Sequence, residues 1–232
     1  MKRKLRRLAA YLPASWQQEL RRHYFSRQIR ANSFRIREPE YDLLPSLVSV
    51  GDWVLDIGAN VGHYTMRLSE LVGENGRVIS FEPVPETFEL LARHAAMTPC
   101  KNISLVNAAA SASVGLSTMS IPKFEDAELR NYYRAQLSAE GDRSGFPVLR
   151  LTVDSLALPN AVQLVKIDTE GHELSVLLGM KRLLERDRPT VIAEDGDPEV
   201  IRFLEALGYA SEKLATSCNR LFRPRSTIAA PG

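Results

Sequence analysis

Short apolar runs alternate along this chain with segments whose apolar residues recur every three or four positions, which predicts strands and helices in alternation. The runs at 53–57, 78–81, 103–106, 163–167 and 190–193 are rich in Val, Ile and Leu, as expected of strands buried on both faces. Between them lie the helical patterns. A short one begins at 38–42 and carries Leu43, Leu44, Leu47 and Val48, and a second runs over 61–71. The third is opened by Pro83 and Pro85, with Phe88, Leu91 and Ala95 inward and His94 on the surface. The fourth, 174–185, packs Leu174, Leu177, Leu178 and Leu184, and 198–207 precedes a C-terminal strand pair. Gly51-Asp52 and Gly73-Glu74-Asn75-Gly76 read as turns. The alternation predicts an α/β fold, an open, mostly parallel sheet covered on both faces. An extra strand is expected at 118–121 and extended chain at 148–153, with Asp154 capping a short turn. Residues 123–147 are polar and without period, a mobile loop or lid.

Before this pattern stands a different one. Leu5, Leu8, Leu12, Trp16, Leu20 and Tyr24 recur at helical spacing, so residues 1–37 form an amphipathic arm. Pro13 is expected to divide the arm into two short helices. Its charge is basic: eleven Lys or Arg stand against the single acid Glu19, while residues 38–232 carry nineteen bases and twenty-seven acids. The net charge of +2 hides this asymmetry. The stripe could dock on the body with its Arg residues solvated, lie on an anionic membrane near a lipid-linked substrate, or meet a polyanion. Nucleic acid is disfavoured, because no aromatic–basic alternation or recognition motif accompanies the charge.

The chemistry begins at Val54-Leu55-Asp56-Ile57-Gly58-Ala59-Asn60-Val61-Gly62-His63, followed by Phe81-Glu82-Pro83. A strand ending in an acid, a small-residue turn, a helix and a second strand ending in an acid form the plan of a nucleotide-binding βαβ unit. Glu82 stands where a carboxylate accepts both hydroxyls of a ribose. A dinucleotide fold wants G-x-G-x-x-G/A, so that a pyrophosphate can lie on bare amides. Here Asn60 and His63 occupy the second and third glycine positions, and no Lys-Ser/Thr pair makes a P-loop. Asp56 ahead of the loop suits a cationic ligand group. The pattern therefore favours S-adenosylmethionine, which carries an ammonium, a sulfonium and a ribose but no phosphate.

Size and composition are those of an ordinary soluble globular protein. At 232 residues, 44% hydrophobic and 25% charged, the chain supports one well-cored domain with an appendage. Two cysteines are too few for a disulfide framework or a cysteine zinc site. No apolar run is long enough to span a membrane, and the basic start lacks the apolar core of a signal peptide. A cytoplasmic setting, with peripheral membrane contact through the arm, is the expectation.

From Glu38 to Glu194 the chain resembles the FkbM family of S-adenosylmethionine-dependent methyltransferases. The resemblance rests on the Gly51-to-Gly62 block, Phe81-Glu82-Pro83, Asn107-Ala108 and Leu151-Thr152-Val153-Asp154-Ser155-Leu156. Leu164-Val165-Lys166-Ile167-Asp168-Thr169-Glu170-Gly171-His172-Glu173, Val176-Leu177-Leu178-Gly179-Met180 and Pro189-Thr190-Val191-Ile192-Ala193-Glu194 complete it. The first block alone identifies a class I, Rossmann-like methyltransferase; the Lys-Ile-Asp-x-Glu-Gly-x-Glu block is more specific. The resemblance implies methyl transfer to a hydroxyl of a sugar, glycolipid, polysaccharide or secondary metabolite. It does not name the acceptor.

On this reading Asp56, Gly58, Ala59, Asn60 and Gly62 hold the methionine end of the cofactor, Glu82 and Pro83 the ribose, and Asn107 and Ala108 the adenine. Asp56, Glu82, Asn107, Asp168 and Glu194 all stand at strand ends, where open α/β sheets bind ligands. Asp168 and Glu170 are the candidates for contact with the acceptor, and His172 for a general base. Each has a plainer role available: Glu170 and Glu173 as favourable charge at a helix N-terminus, His172 as a first-turn residue, His63 as a structural imidazole and Lys166 as partner of a nearby carboxylate. Asp168, Glu170 and Glu194 could offer oxygen ligands to Mg²⁺, though no spacing demands a metal. N-methylation of an amino sugar or peptide amine, and a non-catalytic membrane-recruited module, are the competing functions.

Overall fold

The five apolar runs become the five consecutive parallel strands of a seven-stranded sheet. The computed structural model describes residues 12–124, 127–138 and 145–225. The strands are β1 (Trp53–Ile57), β2 (Arg77–Phe81), β3 (Ile103–Val106), β4 (Val162–Ile167), β5 (Thr190–Glu194), β6 (Tyr209–Lys213) and β7 (Asn219–Pro224). Their order is β6-β7-β5-β4-β1-β2-β3, with β7 antiparallel to both neighbours and every other pairing parallel. The chain winds outward from β1 to β3, then returns to the other side of β1 as β4. A crevice opens at such a reversal, beyond the carboxyl ends of the strands.

Alternate strand residues serve opposite faces. Val54, Val78, Leu164, Ile192 and Leu221 pack with Tyr41 and Leu44 of α2 (Pro39–Leu47) and Tyr64, Leu68 and Val72 of α3 (His63–Val72). Leu55, Ile79, Val165, Val191 and Phe222, each adjacent to one of these in sequence, pack with Val176, Leu177, Leu183 and Leu184 of α5 (Glu173–Leu178) and α6 (Lys181–Asp187), and with Val200 and Leu204 of α7 (Pro198–Ala206). The period of two in strand side chains, buried on both sides, accounts for the unbroken apolar runs.

Several local expectations are corrected. The single helix expected over 174–185 is two, because Gly179 abuts the loop at Ser111 so closely that a Cβ would lie 1.9 Å from the Ser111 carbonyl oxygen. Asp154 does more than cap a local turn: its carboxylate accepts from the amides of Arg182 and Leu183, each at 3.0 Å, at the start of α6. The extra strand is longer than expected. Gly115–Ser120 joins Phe146–Leu151, Ala109–Ala110 and Gln136–Leu137 in a small second sheet. The polar segment from 123 is therefore not simply a loop. It contributes a ribbon (Lys123–Phe124 with Ala127–Arg130), a 3₁₀ turn (Tyr132–Arg134) and an edge strand; residues 125, 126 and 139–144 lie outside the described part. Tyr132, Ala135 and Leu137 pack with Val84, Met119 and Val148, a contact too short in sequence to show a period.

The arm departs furthest from its pattern. Within the described residues the arm holds α1 (Ala14–Arg30), which starts directly after Pro13, where the division was expected; residues 1–11 lie outside the described part. Trp16, Leu20 and Tyr24 of the predicted stripe are 63%, 49% and 56% exposed, and Leu5 and Leu8 lie outside the described residues. The opposite side is the docked one. Phe25 is buried with Phe34, Val61, Met66 and Leu90, and Gln18 donates to the carbonyl of Glu86 at 2.7 Å. That docking also shifts the inward face of α4 (Pro85–Met97), whose buried positions are Thr87, Leu90, Leu91 and His94. His94 is fully buried against Phe25 and Phe34, not on the surface.

Candidate active site

At the reversal between β1 and β4 lies a cavity of about 300 Å³. Its floor is the loop after β1. Gly58 takes φ +81°, and a Cβ there would meet the Asp168 carbonyl oxygen at 1.8 Å. Only glycine lets the two strand ends approach this closely. Asn60 sits in the left-handed region (φ +49°), which asparagine tolerates, and its side chain accepts from the Val61 amide. Gly62, with φ +95°, caps α3 where a Cβ would lie 2.7 Å from Leu91 Cδ1. Gly58, Ala59 and Asn60 line the cavity; Gly62 shapes the loop from behind.

Glu82, at the end of β2, borders the same space. Its carboxylate accepts from the amides of Asn60 (2.9 Å) and Val84 (2.8 Å), tying the two strand ends together. Burial pushes its pKa up to about 7, against the lowering effect of those amides. Pro83 and Ala108 also line the cavity. Asn107 does not. Its amide donates to the carbonyls of Glu82 and Pro83, so it fixes the β2 exit from outside. Asp56 is likewise turned away. It is 2% exposed, accepts from the Thr65 hydroxyl inside the protein and has its pKa raised to about 6 by burial. Asp56 and Asn107, both expected at the cofactor, thus stand behind the cavity lining, each side chain engaged by neighbouring protein groups.

The opposite wall carries Asp168, Thr169, Glu170 and His172 from the loop after β4, with Glu194 from the end of β5. Asp168 is half-exposed. Its carboxylate lies 3.3 Å from the ammonium of Lys166, which is wholly buried, so Lys166 is indeed the carboxylate's partner. Glu170 has φ +53°, and burial together with Asp168 and Glu194 raises its carboxyl pKa. Burial lowers that of His172, whose Nε2 lies 3.0 Å from the Ser111 hydroxyl. Glu173 is no part of the wall. It accepts from the Thr169 amide and hydroxyl and from the Gly171 amide, closing the loop before α5. Among the described residues no group of three His, Cys, Asp or Glu side chains is placed to hold a metal ion, and Asp168, Glu170 and Glu194 are not one.

Glu38 and Tyr64 are among the lining residues that escaped the sequence. Glu38 accepts from the Tyr64 hydroxyl at 2.7 Å, and the Lys166 ammonium lies 5.0 Å from the centre of the Tyr64 ring. Burial raises the pKa of both Glu38 and Tyr64. Glu38 precedes the first strand and Tyr64 follows the glycine loop, so no local pattern links them. His63 stacks on Phe34 at 4.1 Å and, by burial and the neighbouring His94, has its pKa lowered to about 4.

Comparison with known proteins follows this geometry closely. Residues 56–211 match the methyltransferase FkbM domain. The hexuronic acid methyltransferase AglP of Haloferax volcanii is 28% identical over 182 residues, covering 76% of this chain and 69% of that protein. The crystal structure of methyltransferase FkbM from Methylobacillus flagellatus superposes with a TM-score of 0.53 at 15% identity over 76% of this chain, which spans 44% of that longer one. Fibrillarin from Aeropyrum pernix, solved with S-adenosylmethionine natively bound, matches at 0.50 and 13% identity, over 79% of this chain and 72% of its own. The fold is the Rossmann-like one of class I methyltransferases, and with the domain match covering most of its length the chain belongs to the FkbM methyltransferase family.

Proposed function

We propose that this chain transfers a methyl group from S-adenosylmethionine to a hydroxyl of a sugar-containing acceptor, in a glycan or glycolipid. One observation carries the reading: the Gly58–Asn60 turn, Glu82 and the Asp168–Glu170–His172 loop face a single cavity at the strand reversal. The donor fits the residues present. Glu82 is an acceptor pair at the edge of the cavity, the Asn60 amide is already committed to it instead of to a phosphate, and the surrounding Glu38, Asp168, Glu170 and Glu194 favour a cation. When bound, S-adenosylmethionine supplies a methyl group made electrophilic by a positively charged sulfur.

The remaining work falls to the protein's own groups. Lys166 holds the Asp168 carboxylate in place, and Asp168 orients the acceptor hydroxyl for in-line attack, where positioning supplies much of the rate. Glu170, its proton affinity raised by burial and by like charge, is suited to take the hydroxyl proton. His172, held neutral by burial, is the second acceptor on the same wall. The relative named for hexuronic acid supports a sugar, and the acidic wall disfavours an ionised carboxylate as the methylated group.

The test is incubation with methyl-labelled S-adenosylmethionine and hexuronate-containing glycans or a fractionated extract of the source cells, followed by mass spectrometry. A methyl ether that survives mild alkali is expected. An alkali-labile ester, a label on nitrogen or no transfer at all would overturn the reading.

A further inference from the structure

The arm has two faces of different chemistry. At about 100° per residue, Gln18, Arg21, Arg22, Phe25 and Ile29 point to one side of α1, and the body holds that side. Phe25 is buried, Gln18 is bonded to Glu86, and Arg22 pairs with Glu89. Trp16, Leu20 and Tyr24 point the other way, each about half or more exposed, with His23, Arg27 and Arg30 exposed among them. Glu19 is the acid on that side, and it is bonded to Arg22. Residues immediately before the helix add Lys2, Arg3, Lys4, Arg6 and Arg7. Tryptophan and tyrosine beside leucine, ringed by arginine, form a surface that suits the headgroup region of a bilayer, where amphipathic rings rest between water and hydrocarbon.

We infer that the exposed Trp16–Leu20–Tyr24 face of α1 docks on an anionic lipid surface. Charge selects this occupant: the arm is strongly basic while the rest of the chain is acidic, so a second copy would bring like-charged arms together, whereas an anionic leaflet attracts the arm and repels the body. Three apolar side chains form a shallow contact, and the clustered bases make the attachment depend on lipid charge and on salt. The docked side of the same helix reaches the cavity wall. The Arg21 guanidinium lies 4.3 Å from the ring centre of Tyr132, and Tyr132 lines the cavity wall. Docking therefore holds the site one helix away from the membrane surface, whatever acceptor is methylated.

Sedimentation of the full chain with phosphatidylglycerol–phosphatidylcholine vesicles and with phosphatidylcholine vesicles tests this, by binding alone and without any methyl-transfer assay. Binding at least tenfold tighter to the anionic vesicles, weakened by raised salt, is expected. Trp16→Ser with Leu20→Ser, and separately Arg27→Glu with Arg30→Glu, should each reduce it several-fold; both pairs are exposed, and circular dichroism checks that α1 persists. Equal binding to neutral and anionic vesicles, or no binding, overturns the inference. So does a concentration-dependent dimer abolished by the Trp16 and Leu20 changes, or RNA binding that matches the vesicles and ignores those changes.

Discussion

At the scale of single residues, the site is built from groups whose usual behaviour is altered by where they sit. Glu82 borders the cavity while two backbone amides hold it. Replacing it by glutamine removes charged acceptor capacity worth about 1.5–3 kcal/mol, so Glu82→Gln should weaken S-adenosylmethionine binding roughly ten- to a hundred-fold by isothermal titration. Asp168→Asn acts on another step. It keeps the shape beside Lys166 but loses the charge to which the proposed mechanism gives the acceptor's orientation, so the turnover rate should fall by about a hundredfold or more with donor affinity changed little. Gly58→Ala has no such division. Its Cβ would press on the Asp168 carbonyl at φ +81°, so loss of folded protein on expression or a large drop in melting temperature is the expected result. These three positions were legible as residue types at strand ends. That Asp56 turns inward and Glu38 pairs with Tyr64 was not, since a side chain's direction at a strand end depends on packing.

At the scale of elements, the helices show where pattern and partner diverge. The strands read correctly because both faces are apolar wherever they lie in the sheet. The inward face of α4 read wrongly by about one residue because α1 adds a second packing surface, and only that surface makes His94 interior. Phe25 is the anchor of this contact. Phe25→Ala removes the ring packed on Phe34, His63 and His94, a loss of about 3–5 kcal/mol by analogy with other buried aromatic truncations. Hydrogen exchange should then show α1 opening locally while the amides of β1 and β4 stay protected. Simultaneous collapse of protection across the sheet would show the arm to be part of the core.

At the scale of the whole molecule, buried ionisable groups set opposing pH dependences. Burial raises Asp56 to about 6 and Glu82 to about 7, so their contribution is fully present below the ordinary carboxylate range and is lost as pH rises through those values. Burial lowers His63 to about 4, and lowers His94 and His172, so their contribution is present above about pH 6.5 and is lost as pH falls toward 4. Melting temperature from pH 4 to 8 should therefore vary little in the wild type. His63→Phe, which keeps the stack on Phe34, should leave a profile that falls more steeply as pH rises. Glu82→Gln should do the reverse, removing a loss on the order of 3 kcal/mol between about pH 4.5 and 7.

What the sequence determined by itself was whatever depends on near neighbours along the chain: the strands, the glycine turn, the acids at strand ends and the methyl-transfer chemistry they suggest. Those features follow from periodicity and backbone conformation, which a few adjacent residues control. Tertiary structure alone decided which of those acids face the cavity, which imidazoles are buried and which side of the arm is left to solvent. Each of those outcomes is set by a partner distant in the chain. The face of α1 that looked apolar in sequence stayed outside because the body offered Glu86, Glu89 and a pocket for Phe25 to the other face, and packing geometry prevailed over the stripe.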